Sequence, residues 1–464
     1  MKSSVPFLRR SGAREERGSA LLLALVIGSL LSLIGLSLTF SSMAEFTTSN
    51  EFEAHEKALI LADAGYKVVK DELRGQDFTT LLATSSLVPK YLEYQDPQSG
   101  SYAARNPLVP YEARNIDFEN PPAALASRSV NGFLTPLGGT LLGTGRYFAS
   151  LSDNLDETPL GLAEDPRLDS DYTVNLRVMG VHRTLASEVS SVGTSVKNAL
   201  AIVEATLRRD LSFDLSSPLA VYGSDVQATF NGNSFDLIGD AEHSAISVIN
   251  DDPAGGDADQ AYDSMLAALG SKGTVEGATG PDGVSLVDST ESLRSSENPD
   301  ATNVFDPDFL NNLVNLLASV ADVLYTQDTM LGAGSPPLGT VADPQITVAM
   351  GNLDLTGNNT GAGILVVNGI FDLGGSFIFD GLVLVIGEGD IRLHGANKDL
   401  VGGVYVAKIV EDVDGTLTFG VPTLDISGNS NFIFDSGDIQ MAINLLPLKT
   451  LSYREITPEI EPTG

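Results

Sequence analysis

Cysteine and tryptophan are absent from the 464 residues, and positive charge is scarce: 27 Lys and Arg stand against 61 Asp and Glu, a formal net charge of −34. Without cysteine there are no disulfide staples, no thiolate metal sites and no cysteine nucleophile. A surface of that sign repels phosphate backbones, so no nucleic-acid partner is expected. A third absence organises the N-terminus: no charged residue occurs between Arg17 and Glu45. As a helix rising about 1.5 Å per residue, Ser19–Ala44 spans roughly 39 Å, enough to cross a hydrocarbon core about 30 Å thick. A secretory h-region is only about 7–15 residues long, so this run is too long for a simple signal peptide. The preceding leader carries Lys2, Arg9, Arg10, Arg14 and Arg17 against Glu15 and Glu16, which by the positive-inside rule keeps it cytoplasmic and exports the bulk of the chain.

What is present after Glu45 continues the helix. Ala58, Leu61, Gly65 and Val68, flanked by Ala62, Val69 and Leu73, recur at steps of three and four and predict an amphipathic stripe that ends near Gly75. The apolar half carries Gly28, Ser32, Gly35 and Thr39 along one face, small side chains that let another helix approach closely, although such residues are also common in membrane helices generally.

A basic leader ending in Gly18, an apolar helix and then an amphipathic one resembles the layout of type IV prepilins. More narrowly, "RGSALLLALVIGSLLSLIGLSLTFSS" followed by "NEFEAHEKALILADAGYKVV" is similar to PilX-type minor pilins, with Asn50, Glu51, Ala54, Ala58, Ala62, Asp63, Ala64 and Gly65 on the family pattern. The resemblance covers residues 14 to about 70. It implies cleavage between Gly18 and Ser19 by a prepilin peptidase, and packing of the retained helix with other pilins in a filament. Major pilins carry a glutamate at the fifth position after the cut; here that position is Leu23, a departure that points to a minor subunit near the filament tip.

Downstream, "GTGRYFASLSDNLDET", "SDYTVNLRVMGVHR" and "VKNALAIVEATLRRD" alternate as strands of a small antiparallel sheet. Between them Asp153, Asn154, Asp156, Asp165, Asp169 and Asp171 offer hard oxygen ligands; they read either as a solvated turn or as a calcium site, without EF-hand spacing. No other cofactor is expected. From Pro218 the texture changes to short β-rich runs cornered by Gly, Asn and Asp. "ILVV" at Ile364, "LVLV" at Leu382 and "VYVA" at Val404 follow one another at offsets of 18 and 22 residues, which favours a right-handed parallel β-helix over a sandwich. In the stretch before them, Phe309, Leu313, Leu316 or Leu317, Val320 and Leu324 predict an amphipathic helix.

The expected plan is therefore α+β: a leader 1–18, a pilin helix 19–74 with a membrane-spanning part 19–44, and a pilin-like globular region 75–212. A β-helix-like domain 213–440 follows, with a helical insertion at about 245–335, and a C-terminal cap or tail 441–464. Asp372, Asp380, Glu388, Asp390 and Arg392 lie among the coils, but none forms a marked acid pair, and the histidines His55, His182, His243 and His394 are scattered, so no enzyme is expected. The functional expectation is a minor pilin-like subunit of a type IV pilus or type II secretion pseudopilus, acting in assembly, priming, tip presentation or adhesion. The alternative is an unprocessed, membrane-anchored β-helix protein that binds or degrades carbohydrate.

Overall fold

The computed structural model describes residues 15–83, 140–143, 145–154, 169, 172–183, 198–209, 217–231, 235–250, 260–270, 273–280, 282–295, 303–395 and 397–456. The leader residues 1–14 and the Pro-rich stretch 84–139 lie outside them. One continuous helix, α1 (Glu15–Glu72), opens the chain, and Gly75 ends its last turn at φ +76, followed by the short α2 (Phe78–Ala83).

The second half of α1 packs on a five-stranded antiparallel sheet. Its order is β1 (Thr140–Leu142), β2 (Gly145–Asp153), β3 (Thr173–Arg183), β4 (Asn198–Arg209) and then the C-terminal strand Leu448–Ile456. The helix buries Ala54, Ala58, Leu61, Ala62, Tyr66, Val69 and Leu73. Val68, expected in the stripe, is exposed, because the buried arc is rotated toward Tyr66 and Val69. Two strand glycines set the depth of docking. A Cβ on Gly180 would lie 1.9 Å from the Ala58 carbonyl oxygen and 2.5 Å from the Ala62 nitrogen, and one on Gly145 would strike Leu61. The tail is not a solenoid cap: Leu448–Ile456 pairs with β4, so the coiled domain is inserted between two adjacent strands of this sheet.

The inserted domain is a parallel β-helix. One sheet stacks the strands Thr329–Leu331, Leu353–Leu355, Ile370–Leu373, Asp390–Leu393, Thr423–Ser427 and Gln227–Asn231. The other runs from Val323–Tyr325 through Gln345–Ala349, Asn358–Val367, Ser376–Gly387 and Lys398–Glu411 to Leu219–Tyr222, Ile246–Ile249 and Leu286–Asp288. Spatial order departs from chain order. The chain enters the stack at Leu219, beside Val404–Ala407, and builds outward to Asp288. It then returns to the far end at Val323 and coils back to meet its own entry point. The stretch expected as an insertion, about 245–335, thus contributes coils of its own.

The strands Asn358–Val367, Ser376–Gly387 and Lys398–Glu411 each turn a corner at a stacked glycine, Gly363, Gly381 and Gly402, with φ of 114, 131 and 115. A Cβ on Gly381 would lie 2.2 Å from the Gly363 carbonyl oxygen, so the left-handed φ and the close stacking both demand glycine. The repeat differs from the expected offset in its second step: Val404 stands opposite Val383, not Leu382. That single-residue shift matters because it exchanges inside for outside. Val383 and Val404 face the interior with Leu365. Leu382 faces outward with Ile364 and Tyr405, under the helix Pro307–Ser319 (Leu310, Leu313, Val314, Leu317) and the helix Ser436–Asn444 (Ile439, Ala442, Ile443). Burial on both sides explains why these strands read as unbroken apolar runs. Of the expected face, Leu313 and Leu317 are buried with Phe309 and Val320 packed beside them, Leu316 is exposed, and the helix ends at Ser319, so Leu324 belongs to a strand.

Candidate functional site: a bare apolar helix on a locked carrier

From residue 22 to Phe52 the large apolar residues of α1 face outward; Leu23, Leu30, Leu33 and Phe40 are 63%, 56%, 69% and 66% exposed. Gly18 and Ser19 lie in the first turns of the helix, and Leu23 one turn beyond. A Cβ on Gly28 or Gly35 would meet nothing within 4 Å, and Ser32 is exposed between them, so the small-residue face is uncovered. Two hydroxyls of this half bond their own backbone: Ser29 donates to the Val26 carbonyl at 2.8 Å and Thr39 to the Gly35 carbonyl at 2.8 Å. The helical backbone and these two hydroxyls are thus satisfied within the helix, a condition for immersion in lipid or among other helices.

The docked half is clasped by the last strand. Tyr453 donates to Asp63 at 3.0 Å, Lys70 to Thr450 at 2.9 Å, and His55 lies 2.9 Å from Glu455. Between β3, β4 and that strand, Glu204 is buried. Burial opposes its charge, but hydrogen bonds from Arg454 (2.5 Å) and Arg177 (2.5 Å) outweigh it and hold the carboxyl below its ordinary range.

The joint to the solenoid centres on Arg209, at the end of β4 and 2% exposed. Its guanidinium donates to the Leu73 carbonyl at 2.9 Å, to the Gln76 carbonyl and to Asn444 Oδ1, and lies 4.1 Å over the Phe78 ring. Burial pushes its pKa down to about 10, against the pull of Asp169 and Asp77, so it stays charged at neutral pH. Gly75 N–H donates to the Asn444 carbonyl at 2.7 Å, and Arg74 reaches Asp322 at 3.2 Å. The helix end, the sheet and the solenoid therefore share one buried cation.

Of the acidic turn, Asp156, Asp165 and Asp171 lie outside the described residues. Asp153 is buried at the end of β2 with Asn154 beside it, and Asp169 accepts from Thr173 N–H at 3.1 Å. Among the described residues no group of three or more His, Cys, Asp or Glu is placed to hold a metal ion. The coil carboxylates separate onto different strands: Arg392 is held by Asp390 at 2.5 Å and stands in register between Asp372 and Asp425. Asp380 is on another face, and Glu388 pairs with Lys408 at 3.8 Å. His243 pairs with Asp240 and stacks on Phe434, and His394 meets Ser427 at 3.1 Å. Arg209, Gly180 and Gly145 carry no sequence motif; only their neighbours in space reveal their roles.

No family model and no curated protein matches the chain. Among solved structures, the competence-associated pilin ComZ from Thermus thermophilus is similar at a TM-score of 0.20 and 11% identity, with 87% of this chain and 97% of that chain covered. That likeness is too slight to carry an argument by itself.

Proposed function

We propose that this protein is a minor pilin-like subunit of a type IV pilus or type II secretion filament, anchored in the inner membrane before assembly and displaying a β-helix outside. One observation carries the reading: a single helix whose second half is docked and clasped while its first half is apolar all round and bare. Such a half needs lipid or neighbouring helices, and the small face at Gly28, Ser32 and Gly35 suits close helix packing. Leu23 in place of a pairing carboxylate favours a position with no subunit stacked above it. The solenoid acts by presenting a surface, without catalysis. Intact-mass analysis of the N-terminus tests the reading. A native chain starting at Ser19, with or without an added methyl group, supports it; retention of Met1–Gly18 in cells with active prepilin peptidase overturns it.

A further inference from the structure

The two ends of the coil stack are finished differently. Beyond Gln227–Asn231, the helix Gln260–Leu269 drives Ala261, Tyr262, Met265 and Leu269 into the solenoid interior and closes it. At the other end Val323–Tyr325 and Thr329–Leu331 are the outermost strands of both sheets, and among the described residues no strand pairs with their free edges. The inward side chains of this coil, Tyr325 and Leu331, are only half-buried, whereas Ala349 and Leu355, stacked directly on them, are buried. Leu324 and Met330 point outward, 45% and 68% exposed.

Edge strands are ordinarily guarded by lysine, proline or a bulge, because a row of unpaired N–H and C=O groups templates further pairing. These two strands, "VLY" and "TML", are short, but they carry no lysine, proline or bulge. Between Arg294 and Arg392 the sequence contains no Lys, Arg or His, so every charged side chain there is Asp or Glu. At the open end these are Asp322, Asp328 and Asp343, all exposed. A second copy docked end to end would set those carboxylates against their own kind, in a chain of net charge −34.

We infer that the open end docks an extended, basic segment of a partner protein, which adds a strand to the terminal coil and sets its Lys or Arg side chains against Asp328 and Asp343. Backbone pairing supplies the affinity and the acidic corners select the sign of the partner. Arg74 already meets Asp322, so the selective charge lies on the side away from the pilin-like sheet.

The test uses the full chain in detergent and a fluorescent synthetic peptide of alternating lysine and valine, with a glutamate–valine peptide as its opposite. The lysine peptide binds and slows amide exchange across residues 323–331, while the glutamate peptide does neither. The double variant Leu324→Lys/Met330→Lys, altered only at exposed outward positions, binds about tenfold more weakly. Gln227→Lys, the same kind of charge change at the closed end of the same sheet, leaves binding unchanged. Equal weakening by Gln227→Lys, or binding without slowed exchange at 323–331, would mean general attraction to an acidic protein and would overturn the proposal. So would absence of binding, or self-association through this end in place of peptide capture. Should the double variant misfold, the exchange map of the unaltered protein decides.

Discussion

One helix, α1, lives in two environments, and the contrast between its halves explains the molecule. Residues 54–73 show an apolar arc because they have one partner, the antiparallel sheet, and water elsewhere. Residues 22–46 show apolar side chains all round, and among the described residues nothing covers them. Glycine has opposite meanings in the two halves. Around the docked half a glycine marks an internal contact already made, as at Gly180; in the bare half a Cβ at Gly28 or Gly35 would meet nothing within 4 Å.

The largest break in that contrast is Gly180→Val. With no room beside the Ala58 carbonyl, the helix must lift off the sheet, at a cost of about 3 kcal/mol or more, measurable as a fall in chemical-denaturation midpoint. Arg209→Met comes next. It strands the Leu73 and Gln76 carbonyls and removes the shared cation, costing about 3 kcal/mol and separating the melting of the pilin-like sheet from that of the solenoid in calorimetry.

A smaller effect is expected at Asp438. Burial, then the charges of Asp435 and Asp380, push its carboxyl up to about 6. The native state therefore holds this proton more tightly than the unfolded chain. The penalty is full above about pH 6 and fades as pH falls through that value toward the ordinary carboxylate range. Asp438→Asn removes the penalty, so its melting temperature relative to the parent is higher at pH 7 than at pH 5. A difference independent of pH would contradict this assignment. Least of all should Gly28→Leu disturb the fold, within about 0.5 kcal/mol for an uncovered site. Its effect should appear instead as reduced recovery of the protein in sheared filaments.

Much of this was legible in the sequence, and the failures have physical causes. The continuous helix, the three long strands of the small sheet and the parallel coils follow from periodicity, which local spacing records. Strand partners distant in sequence leave no such record. Leu448–Ile456 has the composition of any exposed edge strand, so its pairing with β4 is visible only in three dimensions. The closure of the stack at Leu219 beside Val404 is equally non-local. The slip at Val404 arose because "GGVYVA" can be aligned on either glycine, and only Gly402 takes the corner φ that fixes the register. As for the candidate site, the bare face at Gly28, Ser32 and Gly35 could be located from spacing. The lock at Arg209 could not, since an arginine ending a strand usually reaches solvent.

The absence of cysteine permits the most direct test of the central claim, that the bare half of α1 is a surface for other helices. Single cysteines at Gly35 and at Ala62 would be introduced into the full chain and oxidised in sheared filaments whose major subunit carries a cysteine at the facing helix position. The account predicts a cross-linked heterodimer from Gly35→Cys and none from Ala62→Cys, which is buried against the sheet. Cross-linking absent at residue 35 in filaments that contain the protein, or equal at both positions, would contradict it.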